Sequence, residues 1–159
     1  MKLIGFFTAC GMFVMATSAV AQRPDPNDPT MVARGGFDEV STWVTKAADA
    51  VPADKYSYRP VATVRTFGQL IGHIADAYNW YCGSAAAGRQ IEWADPVEKG
   101  NTDKATLSAK LKQATDACNK VYANKALFLP LIQNIGHTNL HYGNIITYMR
   151  MMGLVPPSS

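Results

Sequence analysis

From residue 30 onward, apolar side chains recur at steps of three and four, and nowhere do they sustain the alternation that a half-buried strand requires. Proline and glycine interrupt this period at intervals of a few helical turns, so the chain can bury its apolar stripes only by packing several amphipathic helices together. The first stripe is Phe37, Val40, Val44, Ala47 and Val51, and Pro52 ends it. A polar loop with Tyr56, Tyr58 and Arg59-Pro60 follows. Thr66 with Gln69 three positions later then forms the pattern of a capping box, opening a second helix that runs to about Ala87.

Gly88 to Thr102 holds Pro96 and Gly100 and no sustained period, which reads as a long connection. A third helix starts near Asp103 and carries Leu107, Leu111, Ala114, Cys118, Val121 and Tyr122 inward, with Lys104, Lys110, Lys112 and Lys120 solvated. Pro130 suits the first position of a fourth helix reaching Met152. Gly153 can adopt the left-handed cap there, and Pro156-Pro157 blocks continuation. The expected fold is all-α, a four-helix bundle. Its second connection, roughly 15 residues at about 3.3 Å each, is long enough to return along a helix and leave the second and third helices parallel.

A length of 159 residues, 48% of them hydrophobic, suits one domain. Residues 1–21 have the form of a secretory signal: Lys2 precedes an apolar run from Leu3 to Ala16 that is too short to span a membrane, and Ala19-Val20-Ala21 offers small residues for cleavage. Cys10 falls inside that run, not at its end, so no lipid anchor is expected. Residues 22–30, with Pro24, Pro26 and Pro29, read as a flexible leader, and 31–159 as the bundle. Cleavage would leave about 138 residues and lower the formal charge from +3 to +2, in a secreted or periplasmic protein. The remaining charges are scattered, with no basic run of the kind that tracks phosphates, so nucleic acid is not an expected partner.

Cys82 lies 16 positions after Thr66 and Cys118 lies 15 after Asp103, so in parallel helices they would sit level. Two readings follow: a disulfide suited to an oxidising compartment, or two separate buried thiols.

His137 and His141, four apart on a helix, project from one face about one turn apart and can share an ion. Their face also carries Asn134, Asn144 and Tyr148, polar where a simple core stripe would be aliphatic. In the second helix, His73 sits among Gln69, Ala77 and Trp80, at the edge of the apolar stripe. Three neutral imidazoles suit a divalent ion, zinc or nickel first, with open positions for water or substrate. The competing reading is core histidines satisfied by backbone carbonyls. A zincin protease does not fit, because Thr138 stands where that motif places its general base. Gln69, Asp76, Asn134 and Asn144 are the polar residues nearest by helical spacing for orienting the rings.

Tyr58-Arg59-Pro60 with Val64-Arg65-Thr66-Phe67 leading to His73, and the segment from His137 through His141-Tyr142-Gly143-Asn144 to Gly153, resemble the DinB-like superfamily over nearly the whole mature chain. The resemblance implies an up-down-down-up bundle with a three-histidine metal site, one ligand from the second helix and two from the fourth, at His73, His137 and His141. It also implies thiol-dependent transferase or isomerase chemistry on a small molecule. The functions expected are therefore a metal-dependent transferase or hydrolase-like enzyme, a non-catalytic bundle stabilised by its metal, or an interaction module forming a homodimer.

Overall fold

The computed structural model describes residues 28–124 and 129–159. The expected signal at 1–21 and most of the expected leader lie outside the described residues. Four helices account for most of the rest: α1 (Pro29–Ala50), α2 (Phe67–Ala87), α3 (Lys104–Ala123) and α4 (Leu129–Met151), with a short 3-10 turn at Ala53–Lys55 between α1 and α2.

Local chemistry fixes the helix ends. Asp28 caps α1, accepting from the Thr30 N–H at 2.9 Å, and Pro29 occupies the first turn, where its missing N–H costs nothing. The helix thus begins just inside the segment read as leader. Thr66 and Gln69 form the reciprocal capping box of α2: the Gln69 N–H donates to Thr66 Oγ1 at 3.1 Å, and the Thr66 N–H donates to Gln69 Oε1 at 2.9 Å. Asp103 caps α3 through the Thr106 N–H. Gly88 and Gly153 stop α2 and α4 with φ of 64° and 75°.

Contacts along the helices give the topology. Leu107 of α3 lies against Gly68 near the start of α2, and Cys118 lies against Tyr78 and Cys82 further along, so α2 and α3 run parallel. Phe37 near the start of α1 stacks on Tyr122 near the end of α3, centroids 4.4 Å apart, while Lys104 at the start of α3 donates to the Asp49 and Val51 carbonyls at the end of α1. Those two helices are antiparallel. Gly36 faces Ile135 and Trp43 stacks on Tyr142, which makes α1 and α4 parallel. The order is up-down-down-up, and the connection from Gly88 to Asp103 returns the chain along α2.

Phe37, Ile71, Ile74, Tyr78, Leu107, Leu111, Leu131 and Ile145 fill the centre. Each aliphatic or phenyl side chain so buried contributes about 1.5–3 kcal/mol relative to exposure. Cys82 and Cys118 are joined by a disulfide with Cα atoms 5.3 Å apart. No described helix is long and apolar enough to cross a membrane.

Candidate metal centre

Nearer the bundle end that holds the start of α2, apolar packing gives way to imidazole. α2 and α4 are antiparallel neighbours, and their register sets His73 against His137 and His141, with ring centroids 5.2 and 4.7 Å away. His137 and His141, one turn apart, have centroids 4.4 Å apart. The Nε2 atoms converge: His137 Nε2 lies 3.3 Å from that of His73 and 3.1 Å from that of His141. One ligand atom from each of the three histidines lies within 4.8 Å of the other two, and among the described residues no fourth His, Cys, Asp or Glu joins them.

These separations fit a divalent ion. Zinc–imidazole bonds of about 2.0–2.1 Å at tetrahedral angles place ligand nitrogens about 3.3 Å apart. His73 and His141 are buried, and burial, followed by the charges of the neighbouring histidines, pushes the His137 pKa down to about 4 and that of His141 down to about 3. Both rings are therefore neutral at pH 7, the state a ligand must have. Their Nδ1 atoms are buried and have no hydrogen-bond partner among the described residues.

The third ring is oriented from outside. Glu98 Oε2 lies 2.8 Å from His73 Nδ1, so a proton at Nδ1 is held by the carboxylate and the lone pair remains on Nε2. Glu98 Oε1 accepts from Arg65 Nε at 2.6 Å. Glu98 belongs to the aperiodic connection, and two features press that connection onto α2. Asp76, buried one turn beyond His73, accepts the Val97 N–H at 3.2 Å on Oδ1 and the Glu98 N–H at 2.8 Å on Oδ2. Burial raises the Asp76 pKa, and the two backbone donors oppose that rise. Gly72, beside His73, leaves room: a Cβ there would lie 2.8 Å from Glu98 Cα and 3.0 Å from its nitrogen.

Among the polar residues picked out by helical spacing, Asp76 thus reaches the imidazole through the Glu98 backbone. Gln69 commits its carbonyl oxygen to the α2 cap. Asn134 is fully buried at the disulfide, its amide nitrogen 3.8 and 3.9 Å from the two sulfurs and 3.4 Å from the Tyr122 hydroxyl. Asn134 lies one turn before His137 along α4, level with Cys82 and Cys118 and not with the three imidazoles. Asn144 is exposed on the wall of a cleft of about 440 Å³ that is also lined by Thr63, Val64, Arg65, Leu70, Glu98, His141 and Tyr148. Trp93 and Tyr81 stand beside the rings, their centroids 5.6 Å from His73 and from His137 respectively. Glu98, Arg65, Trp93 and Tyr81 are absent from the residues that sequence spacing selects.

A family model described as the DinB superfamily matches residues 37–127, more than half of the chain and a span that includes His73 and Glu98. The chain belongs to that superfamily. No curated protein and no solved structure matches it.

Proposed function

We propose that this member of the DinB superfamily holds one divalent metal ion on His73, His137 and His141 and uses it to act on a small molecule, as a thiol S-transferase or a hydrolase-like enzyme. The observation that carries this reading is the convergence of three Nε2 atoms at 3.1 and 3.3 Å with no fourth protein donor among the described residues. Three protein ligands with a position left over is the arrangement of catalytic sites, whereas structural sites close their shell with a fourth. His141 opens onto a cleft of about 440 Å³, which is room for a small substrate.

A divalent ion bound there would supply Lewis acidity, bringing the pKa of a water or thiol at the open position toward neutrality. The chain does the rest. Glu98 holds the proton on His73 Nδ1 and fixes that ring's plane, and Asp76 and Gly72 hold Glu98 in place. Trp93 and Tyr81 flank the imidazoles and limit the approach of water from their sides. Imidazole suits zinc, nickel, copper and iron alike, and zinc and nickel are the first candidates to try. Export to a secreted or periplasmic location is supported by Lys2 with its apolar run, by Ala19-Val20-Ala21, and by a cysteine pair suited to an oxidising compartment.

The test is to load the protein with cobalt(II) and record its visible spectrum while adding azide, a small anion that binds open metal positions. A spectrum at one cobalt per chain that changes saturably with azide is expected. A cobalt spectrum indifferent to azide would mean a closed shell and a non-catalytic role.

A further inference from the structure

Arg65 is fixed at two points and unused at a third. It directly precedes the α2 cap, and its carbonyl accepts the Tyr148 hydroxyl from α4 at 3.1 Å. Its Nε donates to Glu98 Oε1 at 2.6 Å, so the guanidinium plane is set by the same carboxylate that orients His73. The two terminal nitrogens make no hydrogen bond to the described residues, and the side chain remains 41% exposed on the cleft wall. Thr63 and Asn144 add a hydroxyl and an amide to that wall, and His141 brings it to the metal position.

The charges point the same way. Arg65 and Glu98 neutralise each other, so a divalent ion on the histidines leaves this end of the cleft with an excess of two positive charges, in a space where no other carboxylate among the described residues lies on the lining. A ligand that gives one anionic donor to the open position and a second anionic group to Arg65 would balance it. A guanidinium edge with two free N–H groups matches a carboxylate in plane.

We propose that Arg65 is a specificity residue: the cleft selects small carboxylate-bearing ligands, whose carboxylate lies on the Arg65 terminal nitrogens while a second donor group, such as a thiolate, faces the three histidines. The inference rests on the metal reading above.

The test uses two thiols with the same two-carbon spacer, 3-mercaptopropionate and 2-mercaptoethanol, titrated anaerobically into the cobalt(II) protein and followed by the cobalt–thiolate charge-transfer band. The parent should bind the carboxylate-bearing thiol about 10- to 100-fold more tightly, the range for a charge-assisted hydrogen-bonded pair. Arg65→Met should bring the ratio of the two affinities to within about threefold of unity, whatever its effect on thiol binding as a whole. Asn144→Asp, which places a carboxylate on the same wall without touching Glu98, should also erase the preference, covering the case in which Arg65→Met disturbs His73. Equal binding of the two thiols by the parent overturns the proposal. A preference that survives in both variants overturns it too, because the carboxylate would then be chelating cobalt itself. Absence of any cobalt spectrum refutes the metal reading and this inference with it, whereas a normal cobalt spectrum without thiol discrimination refutes the inference alone.

Discussion

Replacing Gly72 with alanine perturbs the centre without removing any of its polar groups. A Gly→Ala change inside a helix ordinarily adds about 1 kcal/mol through backbone entropy and propensity. At Gly72 the added methyl would meet Glu98 Cα at 2.8 Å, its nitrogen at 3.0 Å and the Val97 carbonyl carbon at 3.1 Å, all backbone atoms that no rotamer change can move. Ordinary carbon contacts are about 3.5–4.0 Å, so the connection must retreat by roughly 0.7 Å or more. That movement stretches the Asp76–Glu98 bond from 2.8 Å and the Glu98–His73 bond from 2.8 Å past useful geometry. Overpacking costs about 1–3 kcal/mol and each of the two weakened hydrogen bonds about 1 kcal/mol, which outweighs the propensity gain of about 1 kcal/mol and leaves Gly72→Ala destabilised by about 2–4 kcal/mol. Gly35→Ala on α1, where nothing lies within 4 Å of the new methyl, is the control and should gain up to about 1 kcal/mol. Urea unfolding of the metal-free proteins measures both. If Gly72→Ala stabilises as much as Gly35→Ala, the connection is not held against α2 as described, and the account of Glu98 positioning fails.

Three further outcomes are expected. Glu98→Gln removes the charge facing His73 and should weaken binding of the proposed metal by about 10- to 100-fold in competition with a chelator, and unchanged affinity would deny Glu98 its orienting role. The metal-free protein should lose stability as pH falls from about 6.5 toward 4. His137 and His141 are held near 4 and 3 when folded, against 6.5 when unfolded, so in that window the unfolded chain binds more protons; a urea midpoint that is flat or rises on acidification would contradict the burial of these rings. The Cys82–Cys118 bond closes a loop with a sequence separation of 36, and a Cys82→Ala, Cys118→Ala double variant should lose about 4 kcal/mol by chain entropy; a loss under about 1 kcal/mol would show that the bond does not constrain the unfolded chain as that model requires.

The helices were legible because their ends carry local chemistry. Thr66 with Gln69 states the α2 cap in the sequence and Asp103 marks the start of α3, and the starts of both helices follow. Pro29 reads equally well as a breaker or as a first-turn residue, and only the Asp28 side chain on the Thr30 N–H decides for the helix. The two α4 histidines announce themselves by spacing, and the resemblance supplies His73. Glu98 was not legible, because it lies 25 residues from His73 in a connection without period, and no periodic argument gives the register of such a segment. A trace of it existed: Asp76 is a carboxylate one turn from His73 on a helix that buries almost every neighbour, and a buried carboxylate requires donors. Asn134 shows the opposite limit. It shares the histidine face on a wheel, yet a wheel does not show level along the bundle: one turn before His137, Asn134 lies level with Cys82 and Cys118, and its amide goes to the disulfide.

The central claim is that three histidines hold one ion, and the direct measurement is the metal content of the mature protein purified without a polyhistidine tag, by mass spectrometry, beside His73→Ala and His141→Ala. The account predicts one zinc or nickel ion per chain in the parent and none in either variant. A parent that retains no metal after incubation with zinc or nickel, or variants that bind it as well as the parent does, would contradict the account.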